Sequence, residues 1–202
     1  MTKFSANLGF LWSDRSLIDA IYAAHAAGFE TVECHWPYEY DAAEVKAALD
    51  ATGLTMLGLN TVRGKLVDNE NGLAALPGRE DEARAGIDQA LRYAAAINTQ
   101  NIHVMAGFAE GGAAENCFIE NLRYATNQQQ HVTFLIEPLN HYDAPGYFLS
   151  STDQARRIIE AVAAPNLKLM FDCYHIQILE GDLTRQLQAN IDIIGHIQFA
   201  GV

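Results

Sequence analysis

Short apolar runs alternate with amphipathic stretches from one end of this 202-residue sequence to the other. Strand-like runs fall at residues 4–8, 31–35, 54–60, 101–105, 132–136, 167–171 and 193–199. The segments between them carry apolar residues at helical spacing. Leu17, Ile18, Ile21, Tyr22 and His25 predict one face of a helix that can open at Ser13 and stops at Gly28. Asp41 with Glu44, and Ser151 with Gln154, read as capping boxes that open two more helices. Further helices are expected over 79–96 and 182–190, and another around Phe118, Ile119, Leu122 and Ala125. Alternation of this kind favours repeated βα units on a parallel sheet over separate helical and sheet regions. A complete (β/α)8 TIM barrel has eight strands and typically about 250 residues. The expectation is one α/β barrel domain over residues 1–202 with about seven βα units visible and the eighth lacking. A long polar loop is expected after residue 60. By contrast, the polar stretch 121–130 leaves almost no connection before the run at 132, so that unit is either compact or shortened.

Three of the runs stop on a side chain that can bind a metal. Val-Thr-Phe-Leu-Ile ends in Glu137, Leu-Lys-Leu-Met-Phe in Asp172, and Ile-Ile-Gly-His-Ile in Gln198. Runs this short and apolar predict strands buried on both faces. The carboxyl ends of such strands are where α/β barrels build active sites, and converging oxygen donors suit a hard divalent cation. Pro138 forces the strand to end at Glu137. A carboxylate closing such a strand is costly to desolvate without a partner, so a catalytic or metal role outweighs an ion pair at the rim. Asp172 is more evenly balanced, because an N-cap for the following segment would explain it as well. His175, three residues later, is a candidate donor to a substrate oxygen beside a metal. Glu33 repeats the strand-end carboxylate at the second run and reads as structural or supporting. Asn60 and Arg79 flank the long third loop and could reach a substrate carboxylate. Glu80 is explained equally well by helix-start electrostatics.

Charge and composition narrow the classes. A net charge of −12 disfavours nucleic acid and anionic membranes, which reward clustered Lys and Arg. Three widely spaced cysteines without a C-x-x-C pair fit a reducing compartment rather than a disulfide framework. No apolar run approaches the roughly 18 residues of a membrane span, and the first residues lack a secretory apolar core. A cytoplasmic protein is expected. Residues 58–66 resemble a P-loop, but with one residue too many and Leu66 where a hydroxyl must hold magnesium. No G-x-G-x-x-G follows the first run, and neither a G-x-S-x-G elbow nor zinc spacing is present.

Several motifs together resemble one known family. They are Phe4-Ser-Ala-Asn-Leu8, Pro77-Gly-Arg-Glu80, Glu120-Asn-Leu-Arg-Tyr-Ala125, Leu135-Ile-Glu-Pro-Leu-Asn-His141, Phe171-Asp-Cys-Tyr-His175 and Gly195-His-Ile-Gln198. The resemblance is to the hydroxypyruvate isomerases, within the xylose-isomerase-like TIM barrels. It implies a divalent metal, Mg²⁺ or Mn²⁺, held by Glu137, Asp172, Gln198 and a second glutamate on an eighth strand. In the family the two glutamates are the proposed proton-transfer pair, and His175 matches a substrate-side histidine. The family reads Leu-His-Asn where this chain has Gly58-Leu59-Asn60, so one polar contact differs. The implied reaction interconverts hydroxypyruvate and tartronate semialdehyde through a cis-enediolate. The alternatives are another sugar or 2-oxo-tetronate isomerase or epimerase, and a non-catalytic sugar-binding barrel. A DNA-repair endonuclease is disfavoured by the acidity and by too few histidine ligands. The expected partner is a small hydroxy-oxo acid or sugar, and a homo-oligomer stays open.

Overall fold

The computed structural model describes residues 4–202, in which parallel strands and helices alternate as the sequence predicts. The expected lack of a secretory segment rests partly on Met1–Lys3, which lie outside the described residues. Two compact units divide the chain: residues up to Thr61 with Asp88–Ile102, and Val62–Ile87 with His103–Val202.

In the first unit β1 (Ser5–Asn7), β2 (Thr31–Glu33) and β3 (Thr55–Met56) form a parallel sheet in that order. Helix α1 (Leu17–Ala26) starts at Ser16, whose hydroxyl accepts the Asp19 N–H at 3.1 Å. It buries Leu17, Ala20, Ile21 and Ala24, while Tyr22 and His25, expected on the inner face, point outward. Small alanines complete the inward stripe, because they allow close approach to α2 (Ala42–Thr52). Asp41 caps α2 through the Ala43 N–H at 2.8 Å, and Gly53 ends it in the left-handed region.

The expected strand at 54–60 is two strands, β3 and β4 (Gly58–Asn60), separated at Leu57. Leu57 still donates to the Val32 carbonyl at 2.7 Å, but its own carbonyl accepts from the Asn101 side chain at 2.7 Å. A side-chain amide thus replaces a strand partner at that point. Next come the 3₁₀ turn Leu66–Asp68, helix α3 (Glu80–Ile97) and β5 (Asn101–His103).

In the second unit β6 (Thr133–Ile136), β7 (Leu167–Asp172) and β8 (Ile194–Gln198) are neighbouring parallel strands. Their core residues Phe134, Ile136, Leu169 and Phe171 are fully buried. Helices α4 (Gly111–Gln128), α5 (Thr152–Val162), α6 (Cys173–Leu179) and α7 (Leu183–Asn190) complete the unit. The tight connection between α4 and β6 is real: four residues suffice, with Asn166 donating to the carbonyls of Gln129 and Val132. Register shifts between Leu169 and Met170, whose partners on β8 are Ile194 and His196. Gly195 is skipped there, and a Cβ on it would lie 2.5 Å from Lys168 Cβ. The short helix α6 has no counterpart in the sequence reading, since about two turns show too little periodicity. All three cysteines are free and buried. Among the described residues no helix is long and apolar enough to cross a membrane.

Candidate active site at the ends of β6, β7 and β8

The three polar strand ends fall at the same end of neighbouring parallel strands. Glu137 directly follows β6, Asp172 is the last residue of β7, and Gln198 is the last residue of β8. Asp172 and Gln198 stand opposite each other in the β7–β8 register. Glu137 and Asp172 remain only 7% and 8% exposed. Glu137, Asp172 and His175 each bring one ligand-competent atom to within 4.8 Å of the others. Two carboxylates this close and this buried repel each other, a cost that a bound cation or a shared proton would relieve.

Asp172 also carries the role weighed against ligation in the sequence. Its Oδ1 accepts the N–H of Tyr174 at 2.7 Å and that of His175 at 3.4 Å, capping α6. The two readings are therefore not exclusive, because a carboxylate has two oxygens. Capping α6 also places His175 one turn into the helix, on the side of Glu137 and Asp172.

His175 is held by the loop that follows Glu137. The main-chain N–H of Asn140 donates to His175 Nδ1 at 3.1 Å, and the Asn140 amide nitrogen lies 2.8 Å from the same atom. Asn140 Oδ1 accepts the N–H groups of Tyr142 and Asp143 at 2.9 and 3.0 Å. Asp143 Oδ2 in turn accepts from Asn140 Nδ2 at 2.8 Å and from the Tyr174 hydroxyl at 2.7 Å. These bonds hold the Asp143 carboxyl below its ordinary value, with Asn140 the larger cause. Burial lowers the His175 value, against the opposing pull of Asp172 and Asp143.

Two further residues approach Glu137. His103, at the end of β5 and buried, places Nδ1 3.7 Å from Glu137 Oε2. Tyr147 is buried, and its hydroxyl oxygen accepts the Ala106 N–H at 2.8 Å. Burial raises its pKa, and the nearby Glu137 carboxylate raises it further.

Sequence reasoning missed His103, Asn140, Asp143, Tyr147 and Tyr174. His103 closes a strand as Glu137 and Asp172 do, so the same rule would have found it. The run Asn140-His-Tyr-Asp143 carries an Asx-turn signal, but its contact with His175 spans 35 residues and leaves no local mark.

Asn60 closes β4 in the first unit, where its carbonyl accepts the Tyr38 hydroxyl at 2.5 Å. Arg79 is gripped by Glu70 and by Glu82, the latter at 2.7 Å, which keeps it charged and pins the long third loop. Glu80 accepts the Gly78 N–H at 3.1 Å and lies at the start of α3, as helix-start electrostatics predicts.

Comparison with known proteins shows the family. The xylose isomerase-like TIM barrel family matches residues 21–202. A 2-oxo-tetronate isomerase from Cupriavidus necator is 47% identical over all of this chain and 80% of its own length. The hydroxypyruvate isomerase of Escherichia coli is 38% identical, over 99% of this chain and 80% of its own. A solved structure from Brucella melitensis, named as an AP endonuclease of family 2, superposes with a TM-score of 0.96 at 37% identity, covering 100% of this chain and 80% of that one. Parallel βα architecture, strand-end polar residues and these relatives agree: the chain belongs to the xylose isomerase-like TIM barrel family, among the hydroxypyruvate isomerases and their 2-oxo-tetronate isomerase relatives.

Proposed function

We propose that this protein is an isomerase that moves a carbonyl group between adjacent carbons of a small hydroxy-oxo acid, with hydroxypyruvate and tartronate semialdehyde as the pair. The observation that carries this reading is the convergence of Glu137, Asp172 and His175 at the carboxyl ends of parallel strands. Glu137 takes a proton from C3 of hydroxypyruvate, leaving a cis-enediolate; the C3 hydroxyl proton passes to the C2 oxygen, and a proton delivered to C2 gives the aldehyde. His175 donates a hydrogen bond to one of the substrate oxygens on which charge develops. The donor set of Glu137, Asp172 and Gln198 fits Mg²⁺ or Mn²⁺, since hard cations prefer oxygen ligands. Such an ion, when bound, supplies positive charge beside the reacting oxygens. The low exposure of Glu137 keeps water from competing for the proton.

A second substrate has its own support. The relative that is 47% identical is named for 2-oxo-tetronate, a longer acid than hydroxypyruvate. Action on DNA, which the name of the Brucella protein suggests, is disfavoured by the net charge of −12, which repels a phosphate backbone. Steady-state kinetics with hydroxypyruvate and with 2-oxo-tetronates in Mg²⁺ decides between the substrates. The higher kcat/KM names the substrate, and no turnover of either, with no exchange of solvent protons into them, overturns the isomerase reading.

A further inference from the structure

The loop after Glu137 dictates where the proton sits on His175. A main-chain N–H can only donate, so the 3.1 Å contact from Asn140 requires a lone pair on His175 Nδ1. The Asn140 side chain repeats the demand. Its oxygen is claimed by the N–H groups of Tyr142 and Asp143, so its NH₂ is the group facing Nδ1 at 2.8 Å and Asp143 Oδ2 at 2.8 Å. Two donors thus converge on Nδ1. A proton on that nitrogen would meet both of them head-on with no acceptor in line.

We propose that Asn140 is a positioning residue that fixes His175 as the neutral tautomer carrying its proton on Nε2, making it a hydrogen-bond donor to substrate and neither a proton shuttle nor a metal ligand. Shuttling through the ring would pass through a form with both nitrogens protonated, which the two Asn140 donors oppose. Ligation through Nε2 would need that nitrogen's lone pair and would drive the proton onto Nδ1, against the same donors. Among the described residues the candidate ligands of a cation are then the oxygens of Glu137, Asp172 and Gln198, although His175 lies within reach. Asp143 completes the device by orienting the Asn140 amide and the Tyr174 hydroxyl together. The donor's target, a substrate oxygen, rests on the isomerase reading. The position of the proton does not.

The test is a long-range ¹H–¹⁵N spectrum of ¹⁵N-histidine-labelled protein at neutral pH, without metal or substrate, with His175 identified by its loss in His175→Gln. The expected result is a protonated Nε2 and an unprotonated Nδ1. A proton on Nδ1, or on both nitrogens, overturns the proposal. Adding Mg²⁺ should leave Nε2 protonated, and loss of that proton on titration overturns the exclusion of His175 from the ligand set. Asn140→Asp exchanges one of the two donors on Nδ1 for a carboxylate acceptor while the main-chain N–H stays, and should raise the share of His175 protonated on Nδ1, with kcat falling as the Nε2 donor is depleted. If the folded variant keeps the parent tautomer, the Asn140 side chain does not control it. Should that variant fail to fold, the wild-type spectrum still decides where the proton sits. Because the spectrum needs no turnover, it can fail while hydroxypyruvate is converted and can succeed while it is not.

Discussion

Asp172 accepts the main-chain N–H of Tyr174 at 2.7 Å while closing β7 opposite Gln198. One carboxylate therefore starts a helix and faces the site. The two roles separate by substitution. Asp172→Asn keeps a good cap, since Asn and Asp are equivalent there, but removes the charge. It should weaken Mg²⁺ binding, read by calorimetric titration, with little change in unfolding free energy. Asp172→Ala should add a stability loss of about 1 kcal/mol. Unchanged metal affinity in both variants would reduce Asp172 to a cap.

Glu137→Gln removes a base and a metal charge but almost no volume from the end of β6. Activity should fall by about 10²- to 10⁴-fold with the thermal midpoint close to the parent's. Activity within about tenfold of the parent would sink the assignment of Glu137 as the base.

Tyr147→Phe strands the buried Ala106 N–H that the tyrosine hydroxyl now satisfies. Loss of a buried partner of this kind costs about 1–3 kcal/mol. Urea unfolding should show that loss as a lower midpoint with an unchanged slope. A midpoint equal to the parent's would mean that the N–H finds another acceptor.

Gly107 has φ of +97°, and a Cβ on it would lie 2.3 Å from the Gly72 carbonyl oxygen. Gly111, at the start of α4, has φ of +78° with nothing within 4 Å of such a Cβ. Gly107→Ala should therefore destabilise by more than the roughly 1–3 kcal/mol of backbone strain, and Gly111→Ala by that strain alone. Equal losses in chemical denaturation would show that the close approach of Gly72 adds nothing.

Arg156 grips Asp192 through both terminal nitrogens, at 2.9 and 2.8 Å, and holds its carboxyl down to about 2. A lowered native pKa contributes stability above the ordinary aspartate value, and that contribution is lost as pH falls toward about 2. The effect is small because the pair is exposed. Thermal midpoints of the parent and Asp192→Asn should differ near pH 5 and converge between pH 4 and pH 2. A gap that persists at pH 2 would assign it to something other than this ion pair.

Periodicity and strand-end chemistry were legible in the residues alone. Alternating apolar runs and amphipathic stretches specify the parallel βα architecture, because both periods are local properties of the chain. Glu137, Asp172 and Gln198 stood out because a polar group ending an apolar strand needs a reason wherever the strand lies. The Ser151 cap carried a local signature, whereas α1 opens at Ser16 and not at the expected Ser13, and the division of β3 from β4 and the turn of α6 depended on particular partners. Tertiary structure alone decided which side chains converge. His103 meets Glu137 from another strand, and Asn140 reaches His175 from 35 residues away. It also decided the small-residue stripe of α1, where packing against α2 rewards alanine over the larger Tyr22 and His25. Sequence spacing encodes which face a residue occupies on its own element. The direction of a hydrogen bond onto a distant ring, and with it the position of a proton, exists only once the elements are packed.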